Sequence, residues 1–103
     1  SVLVAGVSYK AGVRDLRESP ALPILAGLRR LGVDVRYHDP LLPEIELPDG
    51  SPMTSEPEPH GRDWDVTVIH TAHPGADYSW ARDCPRVLDA TYQFDAVPHR
   101  RVV

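Results

Sequence analysis

Four short apolar runs punctuate this chain, and their spacing constrains its fold more than any other feature. The first, Val2 to Tyr9 (V-L-V-A-G-V-S-Y), is rich in valine and shows no alternation of apolar and polar residues. A strand of that kind needs cover on both faces, as buried parallel strands do. Val33 to Tyr37 (V-D-V-R-Y) does alternate, which predicts a half-exposed or edge position. Asp65 to Thr71 (D-V-T-V-I-H-T) and Arg86 to Thr91 (R-V-L-D-A-T) supply a third and a fourth strand, and Arg101 to Val103 a small edge strand. No segment repeats another.

Helical signals fall between the strands. Ser19-Pro20 reads as a helix start, since a serine oxygen can accept from an orphan N–H and proline suits the first helical position. Leu22, Leu25 and Leu28 then sit three apart, with Ile24 and Leu31 widening the apolar stripe. Pro23 falls where the first turn tolerates it. Gly32 is the expected stop, after Arg29-Arg30, whose charges suit the negative helix end. Tyr78 to Asp83 reads as a short second helix. Pro40 to Asp63 is rich in Pro, Glu and Ser and reads as a long surface loop, with room for a short strand or turn near Ile45 to Leu47. Trp64 and Trp80 flank the third strand and are expected to cover the sheet. Strand, helix, strand, loop, strand, helix, strand is the order of an α/β domain. The expected architecture is a three-layer, Rossmann-like half, with an open, mostly parallel sheet and helices on both faces.

Bulk properties narrow the function classes. The 103 residues amount to one domain, residues 1–103, and 42% hydrophobic with 25% charged residues suits a globular one. A net charge of -4 argues against a nucleic-acid partner, which needs a basic face. The single cysteine, Cys84, excludes an internal disulfide framework and suits a reducing cytoplasm. No apolar run approaches the roughly 20 residues needed to span a bilayer. The chain opens inside a strand, with no methionine and no charged leader, so a fragment of a larger protein is expected.

Ligands of open α/β sheets bind outside the carboxyl ends of the strands. Here those ends carry Tyr9-Lys10, His38-Asp39, Thr71-Ala72-His73 and Asp89-Ala90-Thr91, so each strand brings polar groups to one edge. The first loop adds Lys10, Arg14 and Arg17 against Asp15 and Glu18, next to the positive end of a helix. Anionic oxygens, such as those of a pyrophosphate, are favoured there. A solvated loop with internal ion pairs is the bland alternative. Neither Gly-x-Gly-x-x-Gly nor Gly-Lys-Ser/Thr is present, so the domain should not hold a dinucleotide or triphosphate by those means.

Residues 6–22, G-V-S-Y-K-A-G-V-R-D-L-R-E-S-P-A-L, resemble the opening of the C-terminal domain of the UDP-glucose/GDP-mannose dehydrogenase family. Tyr37-His38-Asp39-Pro40, Val68-Ile69-His70-Thr71-Ala72-His73 and Val87-Leu88-Asp89-Ala90-Thr91 resemble later family motifs in the same order. The resemblance implies a nucleotide-sugar-binding domain of an NAD-dependent enzyme that oxidises the sugar 6-hydroxyl to a carboxylate in two steps. It places Lys10 on the UDP- or GDP-sugar, with Tyr9 beside it and, by a looser alignment, Arg86. Arg17 matches an arginine that reaches toward the NAD phosphates. Charge-assisted donors suit a sugar diphosphate. An ion pair with Glu18 or Asp15 is the structural alternative for Arg17.

The resemblance also says what belongs elsewhere. The family's nucleophilic cysteine lies in a glycine-rich segment followed by Pro-Lys-Asp, whereas Cys84 sits in Arg-Asp-Cys-Pro-Arg and reads as a bystander. The catalytic lysine and asparagine and the NAD glycine motif belong to earlier, N-terminal and central domains, and the whole enzyme assembles as an oligomer mostly through the central one. This domain alone is then expected to be inactive and can be a monomer. Ser19, Pro20, Asp39 and Asp89 read as structural, the two aspartates accepting from loop N–H groups. His60, His70 and His73 could suggest a metal, but residues three apart on a strand face opposite ways, so none is expected. Two alternatives stand beside the enzyme-domain reading: a stand-alone nucleotide-sugar sensor, and a flavodoxin-like interaction module with no nucleotide.

Overall fold

A computed structural model describes residues 1–12, 16–59, 63–91 and 100–101. In chain order its elements are β1 (Val2–Ala5), α1 (Ala21–Arg30), β2 (Val35–His38), β3 (Glu44–Glu46), β4 (Pro52–Thr54), β5 (Val66–Ile69), a 3-10 turn (Ser79–Asp83), β6 (Val87–Asp89) and β7 (Arg100–Arg101). Five strands form one open sheet in the order β2-β1-β5-β6-β7. Every pairing in it is parallel.

β1 lies inside the sheet, and Leu3, Val4 and Ala5 have no exposed surface. Leu3 and Ala5 join one apolar cluster and Val4 the other, so both faces are covered. That is why this run carries no polar alternation. β2 does alternate because it is an edge strand: Val35 and Tyr37 are buried, while Arg36 is exposed. β1 stops four residues earlier than its apolar run, because Gly6 turns the chain away at φ +79°.

α1 covers one face. Ala21 and Leu25 are buried, and Leu22 and Leu28 pack beside them. Ile24 and Leu31 do not share that stripe, being 41% and 79% exposed. Ile24 is rotated about 100° from Leu25, and Leu31 is already the C-cap. Ser19 Oγ accepts from the Ala21 N–H (3.3 Å) and donates to the Val7 carbonyl, so it ties the helix start to the exit of β1. At the other end the Gly32 N–H donates to Arg29 O (3.0 Å) and the Val33 N–H to Leu28 O (3.1 Å). With Gly32 at φ +83°, this is the glycine stop anticipated, satisfying two orphan carbonyls.

The second face is covered differently. Trp64 (1% exposed), Trp80, Tyr78 and Ala81 pack against Leu3, Ile69 and Val87. Both indoles therefore cover the sheet, with their N–H groups donating to Pro59 O and Asp77 O. The helical segment expected over 78–83 is a single 3-10 turn.

The 40–63 stretch holds a hairpin. β3 and β4 pair antiparallel, and Leu42, Ile45 and Leu47 are buried in the α1-side core. The chain then returns beside β2, where the Glu56 N–H donates to Tyr37 O (2.8 Å) and His38 Nδ1–H to Glu56 O (2.6 Å).

Candidate functional site

With the hairpin set aside, the sheet order reverses direction between β1 and β5, and the crevice outside the carboxyl ends at such a point is where open sheets bind ligands. The two exits touch there. A Cβ on Gly6 would lie 1.9 Å from the Thr71 carbonyl oxygen, so only glycine lets the chain leave β1 against the segment after β5. Thr71 Oγ1 donates to the Ser8 carbonyl (2.8 Å) and accepts from His70 Nδ1–H (2.9 Å). Burial pushes the His70 imidazole below its ordinary pKa of 6.5.

Three strand ends meet at His73. Its Nδ1 accepts the Gly12 N–H (2.8 Å), which leaves the ring hydrogen on Nε2. Nε2–H then donates to Asp39 Oδ2 at 3.0 Å. Asp39, 1% exposed, also accepts the Val7 N–H on Oδ2 and the Leu41 N–H on Oδ1, both at 2.9 Å. The His73 N–H donates to the Tyr78 hydroxyl (2.8 Å). So the end of β2 holds the end of β5, which holds the far end of the loop after β1. Asp39 accepts loop N–H groups as its sequence position suggested. Asp89 does the same for Thr91, at 2.8 Å.

This frame presents Tyr9 and Lys10. Tyr9 is 54% exposed and Lys10 is exposed, on a turn closed by Ser8 Oγ donating to Lys10 O (2.8 Å). Beside them a groove of about 390 Å³ runs between Ala11 and the 72–76 segment, with Tyr78 in its wall. Arg17 is exposed near the end of the same loop in sequence. Arg14 and Asp15 lie outside the described residues. Arg86 is not brought to this group. It precedes β6 and so stands at the amino edge of a parallel sheet, near Asp65, whose carboxyl it helps hold below the usual range after the dominant N-terminal amine. A larger cavity, about 570 Å³, lies along the edge of β2, but there Arg36 pairs with Asp34 and Glu56, each at 3.1 Å.

The arrangement is one for holding a ligand. Both ring nitrogens of His73 are engaged, so it has none left for a reacting proton. Cys84 lies before β6, its sulfur accepting from Thr67 Oγ1 (3.4 Å), away from the carboxyl edge. His60 lies outside the described residues. Sequence reasoning placed His73 among the polar groups at this edge and weighed it as a metal ligand, but gave it no part in bracing the loops. Its tie to Gly12 and Asp39 is a contact between three loops, and no local signal encodes it.

Comparison with known proteins bears on this edge. The family model described as "UDP-glucose/GDP-mannose dehydrogenase family, UDP binding domain" matches residues 3–98. A UDP-glucose 6-dehydrogenase of Pseudomonas aeruginosa is 49% identical over 41 residues, 40% of this chain and 9% of that protein. UDP-glucose 6-dehydrogenase TuaD of Bacillus subtilis is 34% identical over 56 residues, 54% of this chain and 11% of that protein. The matched stretches thus span about a tenth of the length of these relatives. The structure of the UDP-N-acetyl-mannosamine dehydrogenase Cap5O from S. aureus superposes with a TM-score of 0.67. It covers 97% of this chain and 25% of the other at 24% identity, a likeness of fold.

Proposed function

We propose, since this chain belongs to the UDP-glucose/GDP-mannose dehydrogenase family as its UDP-binding domain, that it holds the nucleotide-sugar for oxidation of the sugar 6-hydroxyl to a carboxylate. The observation that carries this reading is the presentation of Tyr9 and Lys10 on a braced loop at the point where strand order reverses. Lys10 would donate charge-assisted hydrogen bonds to the diphosphate, and Tyr9 would pack on sugar or base. The braced backbone fixes where both side chains start. UDP- and GDP-sugars both remain candidate ligands.

NAD would supply hydride acceptance in the whole enzyme. The residues here fit it only at a margin: there is no dinucleotide glycine motif, and Arg17 is an exposed cation, suited to a phosphate reaching in from elsewhere. The NAD-binding and central domains, and oligomerisation mostly through the central one, belong to the same reading. So do inactivity of this domain alone and a cytoplasmic setting. Among the described residues no helix is long and apolar enough to cross a membrane. Arg86, at the amino edge, has no part in the proposed contact.

The test is steady-state kinetics on the enzyme that carries this domain. Lys10→Ala should raise KM for the nucleotide-sugar by about 10- to 100-fold, the worth of a hydrogen bond to a charged group. Arg17→Ala should raise KM for NAD by roughly tenfold instead. Unchanged KM values in both variants would remove the assignment.

A further inference from the structure

We propose that His73 is a positioning residue for the nucleotide-sugar, holding the Tyr9–Gly12 loop in its binding shape through the acceptor at Nδ1. The inference rests on the reading of Lys10 and Tyr9 given above.

The geometry argues for it in three ways. The Gly12 N–H, donating to Nδ1 at 2.8 Å, joins positions 61 apart in sequence, so it ties one crevice wall to the other. The imidazole is 98% buried and its Nε2–H is spent on a fully buried Asp39 carboxylate, so the ring cannot turn without taking away one of that group's three donors. Its main-chain N–H is taken by the Tyr78 hydroxyl, which fixes the backbone on which the ring stands. Gly12 itself has φ +78°, a conformation that glycine visits freely, so while Ser8 braces the start of the loop, its Gly12 end is pinned by this tie. Tyr9 is 54% exposed and Lys10 is exposed, so the placing of both side chains rests on the backbone that carries them. Ordering their backbone in advance is what lowers the cost of binding.

A competing role is also visible: His73 could serve only to satisfy the buried Asp39. The two ends of the ring separate these roles. In His73→Asn the side-chain oxygen stands where Nδ1 stood and still accepts from Gly12, but nothing reaches Asp39. In His73→Gln the amide nitrogen reaches Asp39, and the acceptor for Gly12 is lost. The measurement is the Kd for UDP by calorimetry on the enzyme that carries this domain, with melting temperatures alongside.

His73→Gln is expected to weaken UDP binding about 5- to 30-fold, the ordering cost of one backbone residue, while melting near the native temperature. His73→Asn is expected to bind UDP within about threefold of native although it melts lower, since Asp39 loses a donor. Native affinity in His73→Gln overturns the proposal. So does equal weakening in both variants, or failure of both to fold, either of which assigns His73 to the core. Lys10→Ala in the same assay tests the underlying reading separately: if it leaves the Kd unchanged, the reading falls. If it weakens binding and His73→Gln does not, only the inference falls.

Discussion

Gly6 carries two constraints in one residue. Its φ of +79° lies in the left-handed region, and the place a side chain would take is filled by the Thr71 carbonyl. Gly6→Ala should therefore cost at least about 3 kcal/mol, combining backbone strain with a forced separation of the two strand exits. Urea melts of the domain check this; a shift within roughly 0.5 kcal/mol, as for an ordinary surface position, would mean that the exits are loosely joined. At this scale the sequence was informative in part. Asp39 and Asp89 could be read as acceptors of loop N–H groups because aspartate after a strand so often is. The ring partners of His73, Asp39 and Gly12, lie 34 and 61 residues away, and the need for glycine at position 6 is set by Thr71; no local pattern reports either.

Among the elements, the helix was readable, while of the hairpin only a short strand or turn near Ile45 to Leu47 was. α1 announced itself by leucines at turn spacing, a serine before it and a glycine after it, and each device is present in the fold. The limit of that reading was the width of the stripe, since Ile24 and Leu31 point to solvent. β3 and β4 have three residues each, too short to establish an alternating period, and they sit among prolines and glutamates. Yet Ile45 is only 5% exposed and packs into the α1-side core. Ile45→Ala should destabilise the domain by about 2–5 kcal/mol, the usual cost of emptying a packed site. Thermal or urea unfolding distinguishes this from the near-neutral result expected of a true surface loop.

For the molecule as a whole, the carboxyl edge was legible because strand order could be guessed and every strand ended in polar residues. Its consequence for pH runs through His70. Burial keeps this imidazole neutral in the folded state below its ordinary value of 6.5. The unfolded chain then binds the extra proton, so stability falls as pH drops through the region below 6.5. Melting temperatures measured between about pH 7.5 and 5 should decline in the native chain, and less steeply in His70→Gln. Parallel profiles for the two would show that His70 contributes nothing to acid sensitivity.

The return of the hairpin alongside β2 has a consequence for how copies of this molecule meet. A sheet that ends in an exposed strand offers a row of unpaired amides to any similar strand, and so invites fibre growth. Here the Glu56 N–H occupies the Tyr37 carbonyl, His38 is bonded to the Glu56 carbonyl, and Arg36 is flanked by two carboxylates along that border. The segment that read mainly as a long surface loop is therefore also the molecule's guard against its own kind.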